Sequence, residues 1–183
     1  MPGTMDPRDA VTRFDEILPN NRLVVHDAGH FDTWVRDEIT IDHPDNHIWT
    51  LDFEAIGQGL PIGIGSAIAT DERTCITFCG DAGIMMSLQE LETAVRHNVS
   101  IIVIIMNDET LGAEYHVSTN PPDASVIESP DFEAVAKSFG AKGFTVRSVS
   151  EINEIVHELE GDVSEPVVID CKINRNVRNR LYG

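Results

Sequence analysis

Residues 74–110, TCITFCGDAGIMMSLQELETAVRHNVSIIVIIMNDET, hold two apolar runs with an amphipathic segment between them. Thr74–Cys79 and Ser100–Met106 have the length and composition of strands. The second is apolar at successive positions, as a central strand of a parallel sheet must be when helices cover both faces. Between them Leu88, Leu91, Ala94 and Val95 recur at helical spacing, and Ser87-Leu88-Gln89-Glu90 has the form of a capping box, which predicts a helix from Leu88 to about His97. The result is a strand–helix–strand unit with an acidic residue, Asp81 or Asp108, just beyond the carboxyl end of each strand. Open parallel sheets bind ligands there. Two carboxylates converging on one point are hard oxygen donors of the kind Mg2+ takes.

Upstream, residues 1–5 read as a disordered or appended start. Ala10, Val11, Phe14, Ile17 and Leu18 then trace one face of a helix that Pro19 ends. Leu23–His26 reads as a short buried strand. It runs into Asp27-Ala28-Gly29-His30, a turn opening a helix with Trp34 and Val35, where Gly29 admits close approach to a ligand and the helix start offers N–H groups to an anion. His30 reads as a polar cap as readily as a ligand contact. His47–Thr50 is a third strand. The run from Phe53 to Ala69 carries glycines at 57, 59, 63 and 65, so its helix must press closely on a neighbour or on a ligand.

Downstream of Thr110 periodicity is lost between Gly112 and Ser129, and a loop of that length at a central strand's end suggests an active-site cover. Ser129-Pro130-Asp131 starts a helix with Phe132, Val135, Ala136 and Phe139 inside, stopped by Gly140. Gly143–Val146 and Pro166–Cys171 are strands, separated by a helix that Ser150 is expected to cap and Gly161 to end. Arg175, Arg178 and Arg180 form a basic tail, read as solvated or partner-contacting. The alternation predicts one domain over residues 1–183, a three-layer α/β/α fold with a mainly parallel sheet of about six strands.

Composition narrows the function classes. A net charge of −18, from 31 acidic and 13 basic residues, argues against a nucleic-acid partner and fits a highly soluble or salt-adapted surface. Such a surface repels an anionic ligand unless a cation or clustered N–H groups intervene. Cys75, Cys79 and Cys171 fall in apolar strands without a metal or disulfide pattern, which suggests a reducing, cytoplasmic compartment. No run has the length of a membrane span.

Gly80-Asp81-Ala82, Gln89-Glu90-Leu91, Thr93-Ala94-Val95-Arg96 and Asn107-Asp108 together resemble the diphosphate-binding motif of thiamine-diphosphate enzymes, a family that includes acetohydroxyacid synthases and 2-oxoacid decarboxylases. Asp108 follows Asp81 by 27 residues, where that family has its second metal-binding Asn or Asp. Asp27–Trp34 is similar to the family's first cofactor loop and Glu54–Pro61 to its pyrimidine-holding segment, so the likeness covers about Leu23 to Cys171. Ala82 stands where the motif commonly has Gly.

The resemblance implies thiamine diphosphate and Mg2+ as cofactors. Asp81 and Asp108 would bind the metal through side-chain oxygens and Thr110 through its carbonyl, with diphosphate oxygens and water completing the octahedron. Gly29, His30, Ala82 and Gly83 would offer backbone donors to the diphosphate, and Leu111 and Gly112 would complete the loop around it. Ile56 would prop the cofactor in its bent form, and the Glu54 carbonyl would accept a hydrogen bond from its amino group. Glu114 is a candidate protein acid, and a solvated loop glutamate on the bland reading; Tyr115 and His116 lie near it.

In that family a glutamate on a separate domain engages the pyrimidine, usually across a dimer interface, and 183 residues leave no room for that domain. The resemblance therefore implies the diphosphate-binding subunit of a split 2-oxoacid decarboxylase or carboligase, inactive alone. A pyrimidine-binding chain would complete it in a hetero-oligomer built on dimers, acting on a small 2-oxoacid. Two other classes remain: a non-catalytic assembly subunit that keeps the fold, and a nucleotide-binding oxidoreductase domain, which the missing glycine fingerprint after the first strand disfavours.

Overall fold

The computed structural model describes residues 2–53, 55–70, 73–161 and 163–181. Helix α1 (Pro7–Ile17) starts where the Asp6 carboxylate accepts a bond from the Arg8 amide and Pro7 sets the first helical φ; it buries Ala10, Val11 and Phe14. Strand β1 (Arg22–His26) is buried throughout and leads to α2 (Asp32–Glu38), β2 (His47–Trp49) and the glycine-rich α3 (Gly59–Ala69). Strand β3 (Thr74–Gly80) passes directly into α4 (Asp81–Met85), then α5 (Glu90–Arg96), β4 (Ile101–Asn107) and α6 (Gly112–Val117). Helix α7 (Phe132–Phe139), β5 (Lys142–Val146), α8 (Val149–Glu154) and β6 (Val167–Lys172) complete the order.

The six strands form one sheet, all parallel, in the order β2-β1-β3-β4-β6-β5. Strand β4 shows why its run is apolar on every residue. Ile102, Ile104 and Met106 point into one core with α1, α2 and α8, whereas Ile101, Val103 and Ile105 point into the other with α3, α5 and α7. The chain moves from β1 outward to β2 and then crosses to β3 on the other side of β1. The helices after β1 and β3 consequently lie on opposite faces and leave a crevice outside the carboxyl ends of these strands. This switch point positions the site.

Several local expectations need correcting. Met5 is not part of a loose start: it is buried, bridges Ile173, donates to the Lys172 carbonyl and accepts from Asn174. Ser87 caps no helix. The residue before α5, Gln89, keeps right-handed helical angles and makes no side-chain cap, the Ser87 hydroxyl is buried without a partner among the described residues, and α5 begins at Glu90. The cap of α8 is Ser148, which accepts from the Glu151 amide, and not Ser150. The segment expected as a loop contains α6 and is clasped by an antiparallel bridge between Thr110 and Val126. Within the basic tail Arg178 and Arg180 are exposed as expected, Arg180 pairing with Asp37 at 2.8 Å, whereas Arg175 is largely covered and pairs with Glu109 at 3.0 Å.

Candidate functional site

Strands β3 and β4 end in register, Gly80 beside Met106, so the acidic residues that follow emerge as neighbours. Asp81 is the first residue of α4 and 2% exposed; Asp108 is 8% exposed. Burial pushes the Asp81 carboxyl up to about 7, and the negative charge of Asp108 adds to the effect, against the bond from Ser129. Burial likewise raises Asp108, opposed by its bonds from Thr110. The loop holding Asp108 is tightly drawn. Glu109 takes a left-handed φ of 56°, a costly conformation for a non-glycine residue, and the turn lets the Thr110 amide and hydroxyl both donate to Asp108 Oδ1, at 2.9 and 2.7 Å. Behind it Asn107 Oδ1 accepts from the Glu109 amide. Asn107 Nδ2 donates to Asp170 (2.8 Å), whose other oxygen pairs with Lys172 (2.9 Å), so a buried network fastens the turn to β6.

The loop after β1 closes the other side. Asp27, 1% exposed, accepts from the amides of Ala28 (2.9 Å) and Gly57 (2.7 Å) and from the Thr50 hydroxyl (3.3 Å), joining this loop to the glycine-rich segment. Gly57 has φ of 90°, and a Cβ there would lie 2.8 Å from Met86 Cβ, so neither its backbone nor its surroundings admit a side chain. A Cβ at Gly112 would lie 2.6 Å from His30 Cβ. His30 is buried, and burial followed by the charge of nearby His116 lowers it to about 3. Its Nε2 accepts from the Asn179 amide (3.3 Å), so the neutral ring carries its hydrogen on Nδ1. Asn179 Nδ2 also donates to the His30 carbonyl at 2.7 Å.

These loops surround a cavity of about 260 Å3. Gly29 and His30 line it from the first loop, Ile56 from the glycine-rich segment, and Asp81, Ala82 and Gly83 from the start of α4. Asp108, Thr110, Leu111, Gly112 and Glu114 line the remaining wall. The structure thus brings together every residue nominated from the sequence except Glu54, which lies outside the described residues. Glu114 is exposed at the mouth. His116 stacks behind His30 with ring centroids 4.2 Å apart, and Tyr115 meets His116 edge-on.

Sequence reasoning missed Phe31, Met86 and Met106 in the wall, because an apolar residue at a strand or helix end carries no motif. It also missed Ser129, whose hydroxyl donates to Asp81 Oδ2 at 2.6 Å. Ser-Pro-Asp reads as a helix start, and the helix start is real, but its cap is Asp131, which accepts from the Ala134 amide.

The donor set fits a hard cation. Burial raises both carboxylates and the charge of Asp108 raises Asp81 further, while among the described residues neither forms an ion pair with a lysine or arginine, so a divalent ion would relieve their desolvation. Among the described residues no three His, Cys, Asp or Glu side chains gather at one point. A set of two carboxylates and one main-chain carbonyl does not need them.

The chain matches the family model described as "Thiamine pyrophosphate enzyme, C-terminal TPP binding domain" over residues 27–171. It is 32% identical over 173 residues to YdaP of Bacillus subtilis (strain 168), named as a thiamine pyrophosphate-containing protein, covering 92% of this chain and 30% of that one. It is 27% identical over 155 residues to sulfoacetaldehyde acetyltransferase of Alcaligenes xylosoxydans xylosoxydans, covering 81% and 25%. The fold superposes with a TM-score of 0.85 and 19% identity on the Rhodococcus jostii RHA1 thiamine diphosphate-dependent 4-hydroxybenzoylformate decarboxylase, over 95% of this chain and 33% of that one. The chain therefore spans about a third or less of the length of these proteins. By the family match across most of its length, this chain belongs to the thiamine pyrophosphate enzymes, as their C-terminal, cofactor-binding domain.

Proposed function

We propose that this chain is the diphosphate-binding half of a thiamine-diphosphate-dependent 2-oxoacid decarboxylase or carboligase, completed by a pyrimidine-binding chain in a hetero-oligomer built on dimers. The observation that carries the reading is the convergence of Asp81 and Asp108, buried side by side at the floor of a cavity whose rim is exposed and apolar. The floor suits a metal and a diphosphate. The rim, where Ile56 and Met86 are 46% and 62% exposed beside Met85 at 50%, suits coverage by another protein surface. Free, buried Cys75, Cys79 and Cys171 favour a reducing, cytoplasmic setting.

In this reading Asp81, Asp108 and the Thr110 carbonyl hold Mg2+, which lets an acidic protein bind an anionic cofactor. Backbone donors of Gly29, His30, Ala82 and Gly83 face the diphosphate, with Leu111 and Gly112 closing over it, and Ile56 props its organic end. Bound thiamine diphosphate supplies the electron sink for loss of CO2 from a small 2-oxoacid. Glu114, at the mouth, donates or accepts a proton at the substrate. Phe31 and Met106, both buried, line the wall beside Gly80 and keep water from that side of the cavity.

Thermal unfolding with and without thiamine diphosphate and Mg2+ tests the binding half. At a hundred times the dissociation constant the ligand should stabilise the fold by about 2.7 kcal/mol. No shift in the chain with its pyrimidine-binding partner present would sink the reading. The catalytic half is tested by CO2 release from a panel of 2-oxoacids: full turnover by the chain alone would refute the divided arrangement. Glu114→Gln should slow product formation far more than it weakens cofactor binding, and equal losses would assign Glu114 a structural role.

A further inference from the structure

Two hydroxyl hydrogen bonds tie the ends of one surface segment to the two carboxylates of the cavity floor. The segment leaves β4 at Thr110 and returns to α7 at Ser129. At its start the Thr110 hydroxyl donates to Asp108 Oδ1 at 2.7 Å. At its end the Ser129 hydroxyl donates to Asp81 Oδ2 at 2.6 Å, across 48 residues of sequence. The two stems are clasped between these points, because the Leu111 amide donates to the Ser125 carbonyl (2.8 Å) and the Ile127 amide to the Glu109 carbonyl (3.0 Å). The bond from Ser129 serves no local purpose in the fold, since α7 already has its cap in Asp131.

We propose that Ser129 is a positioning residue for the metal-binding carboxylate of Asp81, and that through Ser129 and Thr110 the segment 111–128 is coupled to occupancy of the metal site. The proposal rests on the reading of Asp81 and Asp108 as Mg2+ ligands. A carboxylate whose one oxygen is anchored by a hydroxyl has its plane fixed before the cation arrives, which removes an ordering cost from metal binding. The coupling runs both ways. A cation that holds Asp81 and Asp108 in place also holds the two stems of the segment, and Glu114 rides on the first of them.

Mn2+, titrated into the full chain in excess thiamine diphosphate and followed by electron paramagnetic resonance, reads metal affinity without turnover. Ser129→Ala should weaken Mn2+ binding by about 10- to 100-fold, and Ser129→Thr should keep it within about threefold of the parent. The metal-free Ser129→Ala protein should unfold within about 4 °C of the parent, which separates positioning from a general loss of stability. Hydrogen exchange over residues 111–128 should slow on adding Mn2+ and cofactor in the parent and not in Ser129→Ala. Mn2+ affinity of Ser129→Ala within about twofold of the parent would overturn the proposal, since an orienting contact to a ligand is worth at least tenfold. Asp81→Asn separates the two levels. If it loses Mn2+ while Ser129→Ala does not, the positioning role fails and the metal site stands; if it binds Mn2+ like the parent, the metal reading falls and the positioning role with it.

Discussion

Asp81 and Met86 line the same cavity five residues apart, yet one is 2% exposed and the other 62%. Around Asp81 each polar group is held: Ser129 anchors its carboxylate, Thr110 anchors Asp108, and Asn107 fastens the turn between them to Asp170. Around Met86 the surface is apolar and open, with Ile56 and Met85 half exposed. The floor has geometry and an excess of negative charge. The rim has apolar area without cover. On the proposed reading the floor would take a cation with its anionic ligand, and the rim a protein surface and the cofactor's organic end.

The sharpest way to break this contrast is at the floor. Asp81→Ala combined with Asp108→Ala should abolish the metal-dependent thermal shift. It should also lower turnover of the completed enzyme by about a thousandfold or more, since a metal's charge stabilisation is worth several kcal/mol. A double variant that still responds to Mg2+ with thiamine diphosphate would move the metal elsewhere.

The rim comes next. Met85→Asp or Met86→Asp should weaken association with the proposed pyrimidine-binding chain by about 2 kcal/mol or more, the scale of an interface hot spot, measured by calorimetry. Both side chains are exposed, so the isolated chain should keep its stability within about 0.5 kcal/mol. Loss of folding in either variant would show that the rim is held by this chain itself.

A third test uses the burial of Asp81 and its repulsion by Asp108. Asp81 has a folded pKa of about 7 against an ordinary 3.8, so the folded state holds its proton more tightly. Its contribution is fully present below about pH 4 and is lost as pH rises through 7. Metal-free Asp81→Asn, which cannot ionise, should therefore gain on the parent by on the order of 2 kcal/mol between pH 4 and pH 8, read from urea midpoints. His26, held near 3 by burial and by His47, runs the other way, its stabilisation present above 6.5 and lost on acidification. It is common to both proteins and cancels. A flat difference across pH would mean that neither burial nor the charge of Asp108 raises Asp81.

The smallest expected effect joins the two regions. Gly57→Ala places a side chain at φ of 90° and against Met86, and should cost about 1–2 kcal/mol in thermal unfolding. If it is neutral, the link from Asp27 through Gly57 to the rim is slack.

The fold was almost wholly legible, because strand length, apolar runs and helical stripes are local properties of sequence. Failures fell at helix starts, at Met5, and in the segment after Thr110, which holds α6 where a loop was expected. Ser87 and Ser150 fit a capping pattern, but the backbone decides whether a hydroxyl can fold back: before α5 Gln89 keeps helical angles, and at α8 the extended residue is Ser148. The site was legible where a motif exists, and Asp81, Asp108, Gly29, Ile56 and Glu114 all line one cavity. Phe31, Met86 and Met106 were not, since their role depends only on where a strand or helix end happens to point.

By itself the sequence determined the strand order of events along the chain, the two acidic residues at strand ends and the family that their spacing resembles. These follow from patterns a few residues long or from one fixed separation. Only the tertiary structure decided that β1, β3 and β4 lie side by side so that Asp27, Asp81 and Asp108 share one crevice. It alone brought Ser129 to Asp81, Asn179 to His30 and Arg175 to Glu109. The physical reason is that burial and side-chain pairing across 48 or 149 residues depend on how the layers pack, which no local pattern encodes.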